Sequence, residues 1–127
     1  MKTIINTTDA PAPIGPYSQA VLANGFLYVS GQIAINPATG DLTQDTLKSE
    51  TEQVMRNLNA VLLEAGFDFS TILKTTIFLS DMSLFAEVNE IYGSYFTADF
   101  PARETVAVKG LPKGVNVEIS CVAYKAS

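Results

Sequence analysis

"QAVLANGFLYVSGQIAI", Gln19 to Ile35, is two apolar runs divided by the dipeptide Asn24-Gly25. That pair most readily takes the positive φ angles of a tight type I′ turn, so the stretch predicts a β-hairpin. The second run is apolar on both faces, as expected of a central strand covered on each side, until Ser30-Gly31-Gln32 interrupts it. A sheet is therefore to be built around this hairpin, and the rest of the chain has to supply its partners and its cover.

Upstream, "TIIN" at the start predicts a short strand, and Pro11, Pro13 and Pro16 crowd the next segment, which should be stiff and extended. Downstream, "NPATGDL" is a loop. From Asp45 or Thr46, "TLKSETEQVMRNLNAVLLEAG" sets Leu47, Val54, Leu58, Val61, Leu62 and Ala65 on one stripe, with Gly66 where helices commonly stop. "TILKTTIFLS" predicts a strand with Leu73, Thr75, Ile77 and Leu79 on one face. Asp81 or Ser83 can cap a second helix, in which Phe85, Val88, Ile91, Tyr92, Tyr95 and Phe96 recur at helical spacing. "ETVAVKG" and "VNVEISCVAYK", joined by "LPKG", close the chain as two strands. In the last of them Val115, Val117, Ile119, Cys121 and Ala123 alternate with Asn116, Glu118, Ser120, Val122 and Tyr124, an apolar face against a mixed one of the kind that meets water or another subunit.

The order β-β-β, α, β, α, β-β predicts an α+β domain in which two helices cover one face of a mixed sheet. With 127 residues, 47% of them apolar, and no internal repeat or linker, residues 1–127 are expected to form a single domain. The net charge of −5 argues against a phosphate-tracking surface, so no nucleic-acid partner is expected. Histidine is absent, which removes the commonest general base and metal ligand, and Cys121 is the single cysteine, so no internal disulfide can form. No metal site is expected. No apolar run approaches the ~18 residues of a membrane span, and the N-terminus lacks the apolar region of a secretory signal. No membrane association is expected, and a cytoplasmic location is the default.

Against this acidic background Arg103, one of two arginines, follows Pro101-Ala102 at the mouth of a strand. Its guanidinium offers a planar fork that matches a carboxylate, and Pro101 stiffens the approach to it; a structural ion pair to Glu104, Glu118 or a neighbouring chain is the plainer alternative. Glu118, mid-strand, could position or deprotonate a water if held in a partly dry crevice, or stand exposed. Ser30-Gly31 allows close backbone approach or marks a β-bulge. Tyr17, on the stiff proline arm, is a packing aromatic or a polar-tipped site residue. Asn89 interrupts the second helix's stripe, to cap a loop or to reach a ligand. Cys121 falls on its strand's apolar phase and reads as a buried, inert thiol.

"GPYSQAV", "VSGQIAINPATGDL", "DMSLFAEVNEIYGSYF" and "PARETVAVKGLPKGVNVEISCVA", in that order, resemble the RidA (YjgF) family along essentially the whole chain. The resemblance implies a chorismate-mutase-like α+β fold, assembly as a homotrimer with clefts between subunits, and hydrolytic deamination of 2-iminopropanoate and 2-iminobutanoate to 2-oxo acids and ammonia. It implies no cofactor, and a functional link to the pyridoxal-phosphate-dependent serine and threonine dehydratases that release such imines. Carried over by motif, Arg103 would clamp the substrate carboxylate and Glu118 would activate water, with Tyr17 as a further catalytic group. Ser30, Gly31, Asn89 and Thr105 would bind substrate. Thr105 departs from the pattern, since many relatives have cysteine there; a role through the backbone survives the exchange, whereas a role for a thiol does not. Two alternatives stand beside deamination: a regulatory trimer that binds small carboxylates without turnover, and an endoribonuclease or translation inhibitor. The acidic charge and missing histidines disfavour the last.

Overall fold

The computed structural model describes residues 1–126. The hairpin forms where its turn residues place it: β2 (Ala20–Ala23) runs antiparallel to β3 (Phe26–Gln32), with Asn24 at φ 50° and Gly25 at φ 82°. Both central residues are left-handed, as a type I′ turn requires. A short β1 (Thr3–Ile5) pairs along β2. The long helix α1 (Leu47–Glu64) is opened by a reciprocal cap between Thr46 and Ser49 and followed by Gly66 at φ 81°. Then come β4 (Ile72–Leu79), the short helix α2 (Phe85–Gly93), β5 (Ala102–Ala107) and β6 (Val117–Tyr124).

The six strands form one mixed sheet in the order β1-β2-β3-β6-β4-β5, antiparallel except for β4 and β5. The last two strands are thus not neighbours. β6 inserts between β3 and β4, and β5 is left at the edge, parallel to β4, which the long α2 crossover permits. Both helices lie on one face. There α1 buries Val54, Met55, Leu58, Val61 and Leu62 completely, each contributing roughly 1.5–3 kcal/mol.

Register makes the two faces explicit, because residues paired across strands share a side. Ile5, Ala20, Val29, Cys121, Thr75 and Arg103 form one row across all six strands, buried beneath the helices until it ends at Arg103 on the edge. The adjacent row, Ile4, Val21, Tyr28, Val122, Lys74 and Ala102, lies on the other side, which neither α1 nor α2 covers. Ile4 is 52% exposed and Tyr28 is 53% exposed.

Three expectations are corrected here. β3 is not covered on both faces, since Phe26 and Tyr28 point to the open side while Leu27 and Val29 are buried. Leu73 does not join Thr75, Ile77 and Leu79: a bulge between Ile72 and Lys74 swings it outward and puts Ile72 in the core. Tyr95 and Phe96 extend the aromatic cluster around Tyr92 and Phe69 from beyond the end of α2.

Candidate functional site

The proposed site residues fall into two groups, one on each side of the sheet. Arg103 leaves β5 on the helix side. Its Nη1 donates to Asn89 Oδ1 at 2.6 Å, and its guanidinium lies 5.3 Å from the ring centre of Tyr92 and 5.6 Å from that of Phe85. The aromatic faces supply a cation–π cradle and the amide fixes the rotation of the fork. Asn89 is thereby explained as the residue that orients Arg103. Within the chain neither Glu104 nor Glu118 is the ion-pair partner of Arg103: among the described residues Glu104 pairs with Lys74 and Arg103 has no carboxylate partner. Tyr92 is held in turn by a 2.7 Å hydrogen bond between its hydroxyl and that of Thr75, and burial pushes its phenol up from the ordinary value. A cavity of about 430 Å3 opens beside Arg103, walled by Asn89, Tyr92, Phe100 and Pro101.

Thr105 lies on the same face of β5, two residues on. Its Oγ1 is buried and has no hydrogen-bond partner among the described residues. Thr105 does not wall the cavity beside Arg103, so this hydroxyl is enclosed by the protein rather than open to it.

Glu118 points the other way. Its register partner is Phe78 on the open face, while its neighbours Val117 and Ile119 are buried under the helices. It lines a cavity of about 410 Å3 together with Tyr17, Ser30, Gly31, Ile14 and Pro112. Half-buried there, its carboxyl is pushed above the ordinary value by loss of solvent. Gly31 accounts for how Glu118 fits. A Cβ on that residue would stand 2.3 Å from Glu118 Oε2, so only glycine leaves the carboxylate its place. The sheet register also slips between Val29 and Gln32, so Ser30-Gly31 is both a bulge and a close approach.

Ser30 ties down the proline arm: its Oγ donates to the Ser18 carbonyl at 2.6 Å and its N–H to that of Gln19 at 2.9 Å. Gln19, almost fully buried, completes the clamp. Its Oε1 accepts from the Thr7 N–H, and its Nε2 donates to the carbonyls of Thr7, Ala10 and Pro11. The arm carrying Ile14 and Tyr17 is therefore held over the Glu118 cavity by a side chain whose polarity the sequence showed but whose burial it did not. Cys121 is buried in the helix-side row, its thiol pushed up to about 12 by desolvation, and is inert as expected.

A single chain thus brings together Glu118, Tyr17, Ser30 and Gly31 on one side, and Arg103, Asn89 and Thr105 on the other, without joining the two sets. No cluster of three potential metal-ligating His, Cys, Asp or Glu residues occurs among the described residues, and none of their helices is long and apolar enough to cross a membrane.

The family model described as Endoribonuclease L-PSP matches residues 7–125. Over 125 residues the chain is 45% identical to the 2-iminobutanoate/2-iminopropanoate deaminase of Homo sapiens, covering 98% of this chain and 91% of that protein. The structure of YyfA from Yersinia pestis, a member of the conserved Rid protein family, superposes with a TM-score of 0.96 at 51% identity, covering 98% of this chain and all of the other. TdcF of E. coli, solved with bound serine, superposes with a TM-score of 0.93 at 35% identity, covering 98% and 99% of the two chains.

Proposed function

For a chain that belongs to the Endoribonuclease L-PSP family, the RidA family of the motif resemblance, we propose that it hydrolyses 2-imino acids such as 2-iminopropanoate and 2-iminobutanoate to 2-oxo acids and ammonia. The observation that carries this reading is Arg103: an oriented guanidinium with no acidic partner among the described residues, opening onto a cavity large enough for a small acid. A substrate carboxylate supplies the missing partner. Its two oxygens meet the fork of Arg103.

The reaction centre then falls to the Glu118 half. An imine carbon is already electrophilic, so the protein has to place a water and remove its proton more than it has to supply a nucleophile. Glu118, ionised, takes a proton from water as its oxygen bonds to C2 and the C=N π electrons pass to nitrogen. The carbinolamine collapses when protonated Glu118 returns its proton to the nitrogen, which leaves as ammonia while the carbinol O–H proton passes to the regenerated Glu118 carboxylate, forming the C=O bond. The Tyr17 hydroxyl stands at the same cavity and can relay that proton. Histidine is not needed for any of these steps.

The two halves are completed by a second copy of the chain. Copies joined through the open sheet face set the β5 edge of one, with Arg103, against the Glu118 cavity of the next. The exposed apolar side chains of Ile4, Tyr28, Val106 and Tyr124 on that face support such an assembly. The homotrimer implied by the resemblance would hold three such clefts. The bound serine of TdcF, an amino acid with the same carboxylate and a nearby nitrogen, fits a cleft built for small 2-substituted acids.

The deciding assay couples a threonine dehydratase to 2-oxo acid detection. Addition of the protein accelerates release of 2-oxobutanoate and Arg103→Ala abolishes the effect; an unchanged rate with wild type overturns the proposal. Tight binding of 2-oxo acids without acceleration would instead identify a carboxylate-binding regulator.

A further inference from the structure

Helix α1 carries a ridge of buried polar side chains, Glu50, Gln53 and Asn57, spaced three and four residues apart on a face that otherwise packs as core. Asn57 Nδ2 donates to the carbonyls of Ile33 and Ile35, which line the Glu118 cavity, and Gln53 Nε2 donates to Asn57 Oδ1. The most demanding member is Glu50, a carboxylate 1% exposed. Among the described residues it has no basic partner; its Oε2 accepts from the N–H groups of Asn116 at 2.8 Å and Val117 at 3.3 Å, and its Oε1 accepts from Asn116 Nδ2 at 3.0 Å.

Three donors converge on its two oxygens, and it lies in the first turn of α1. Burying a carboxyl group without a basic partner is nevertheless costly, and an apolar side chain at the same place would pack without that cost. The hydrogen bonds indicate what this group achieves. They hold the N–H groups of the two residues immediately before Glu118. Asn116 is gripped from the far side as well: its Oδ1 accepts from Ser80 Oγ at 2.8 Å and its carbonyl from the Ser80 N–H at 3.0 Å. The start of β6 is fixed between α1 and the end of β4, immediately after the Pro112–Gly114 turn whose proline walls the same cavity.

We propose that Glu50 is the positioning residue for Glu118: it sets the start of β6 so that the Glu118 carboxylate sits against Gly31 and faces the reaction centre. This rests on the deaminase reading for its catalytic consequence. Glu118 fills the space that a side chain at residue 31 would take, so a small shift of residues 116–117 misplaces it.

Glu50→Gln tests this, because the amide keeps the volume and replaces one acceptor oxygen by a donor. The expected result is a kcat lowered about tenfold with KM within about twofold, since misplacement of a catalytic group acts on the chemical step while the carboxylate grip lies on the other half. In a Glu118→Gln background the same substitution should produce no further loss, a non-additivity that general destabilisation does not generate. A folded Glu50→Gln protein with wild-type kcat, or with the same fold loss in both backgrounds, overturns the proposal. Should Glu50→Gln not fold, Asn116→Ala removes one of the three bonds, and the same comparison with Glu118→Gln decides. If wild type shows no imine hydrolysis, the functional reading falls by itself; amide exchange then decides the positioning, with protection lost at residues 116–118 in support and loss spread across the whole sheet against.

Discussion

Arg103 and Glu118 stand on opposite faces of one sheet with only β4 between their strands: Arg103 pairs with Thr75 on the helix side, and Glu118 pairs with Phe78 on the open side. Sheet geometry forbids their meeting within a chain, because no rotamer carries a side chain through the hydrogen-bonded backbone. A cleft that uses both must be assembled from two chains.

Arg103→Ala and Glu118→Gln should therefore complement each other. Each variant alone is expected to retain no more than about one per cent of wild-type activity, a residual rate that can still be measured. Refolded together in equal amounts, random mixing in the proposed trimer would restore one complete cleft in each mixed assembly, or about a quarter of wild-type activity per chain. Activity that stays at the level of the single variants would exclude a shared cleft.

Glu118 titrates above its ordinary value of 4.5 because its cavity strips it of solvent. As a base it must be ionised, so kcat/KM is expected to fall on the acid side with an apparent pKa above 4.5. Glu118→Gln should lose that limb. Stability carries the opposite sign: folding favours the protonated acid, so this group's contribution is full below 4.5 and is lost as pH rises through the raised value. Thermal melting of wild type against Glu118→Gln across that window measures it.

Gly31→Ala separates folding from catalysis. The new methyl meets the movable end of the Glu118 side chain. The chain should fold with a loss of no more than about 1–3 kcal/mol while activity falls at least tenfold, as overpacking at a catalytic group predicts. Retention of full activity would mean that Glu118 works from another position.

Thr105→Val replaces an unsatisfied buried hydroxyl by a methyl of the same shape. The free protein should be unchanged or stabilised by about 1 kcal/mol, and 2-oxo acid affinity should stay within about twofold, because the enclosed hydroxyl reaches neither cavity. Calorimetry with 2-oxobutanoate checks the second part; Thr105→Ser should retain affinity.

Much of this was legible from residue patterns. Asn24-Gly25 gave the hairpin through backbone chirality alone, and the alternation of Val117, Ile119 and Cys121 against Glu118 and Ser120 gave the two faces of β6. The insertion of β6 beside β3 was not legible, because pairing between distant strands leaves no local signal. Leu73 misled because a bulge shifts phase without changing composition. Gln19, Glu50 and Asn57 escaped notice for a related reason. A polar residue in a helix or strand predicts solvent, and only the fold reveals backbone groups for it to satisfy.

The row that runs from Ile5 to Arg103 ends at a free edge, so the guanidinium is the last residue of the core and the first of whatever adjoins it. On the proposed assembly, dilution would silence the protein before it unfolded it: chains drifting apart would keep their shape and surrender their chemistry. Specific activity that declines with concentration, while the helical circular-dichroism signal holds steady, would be the signature.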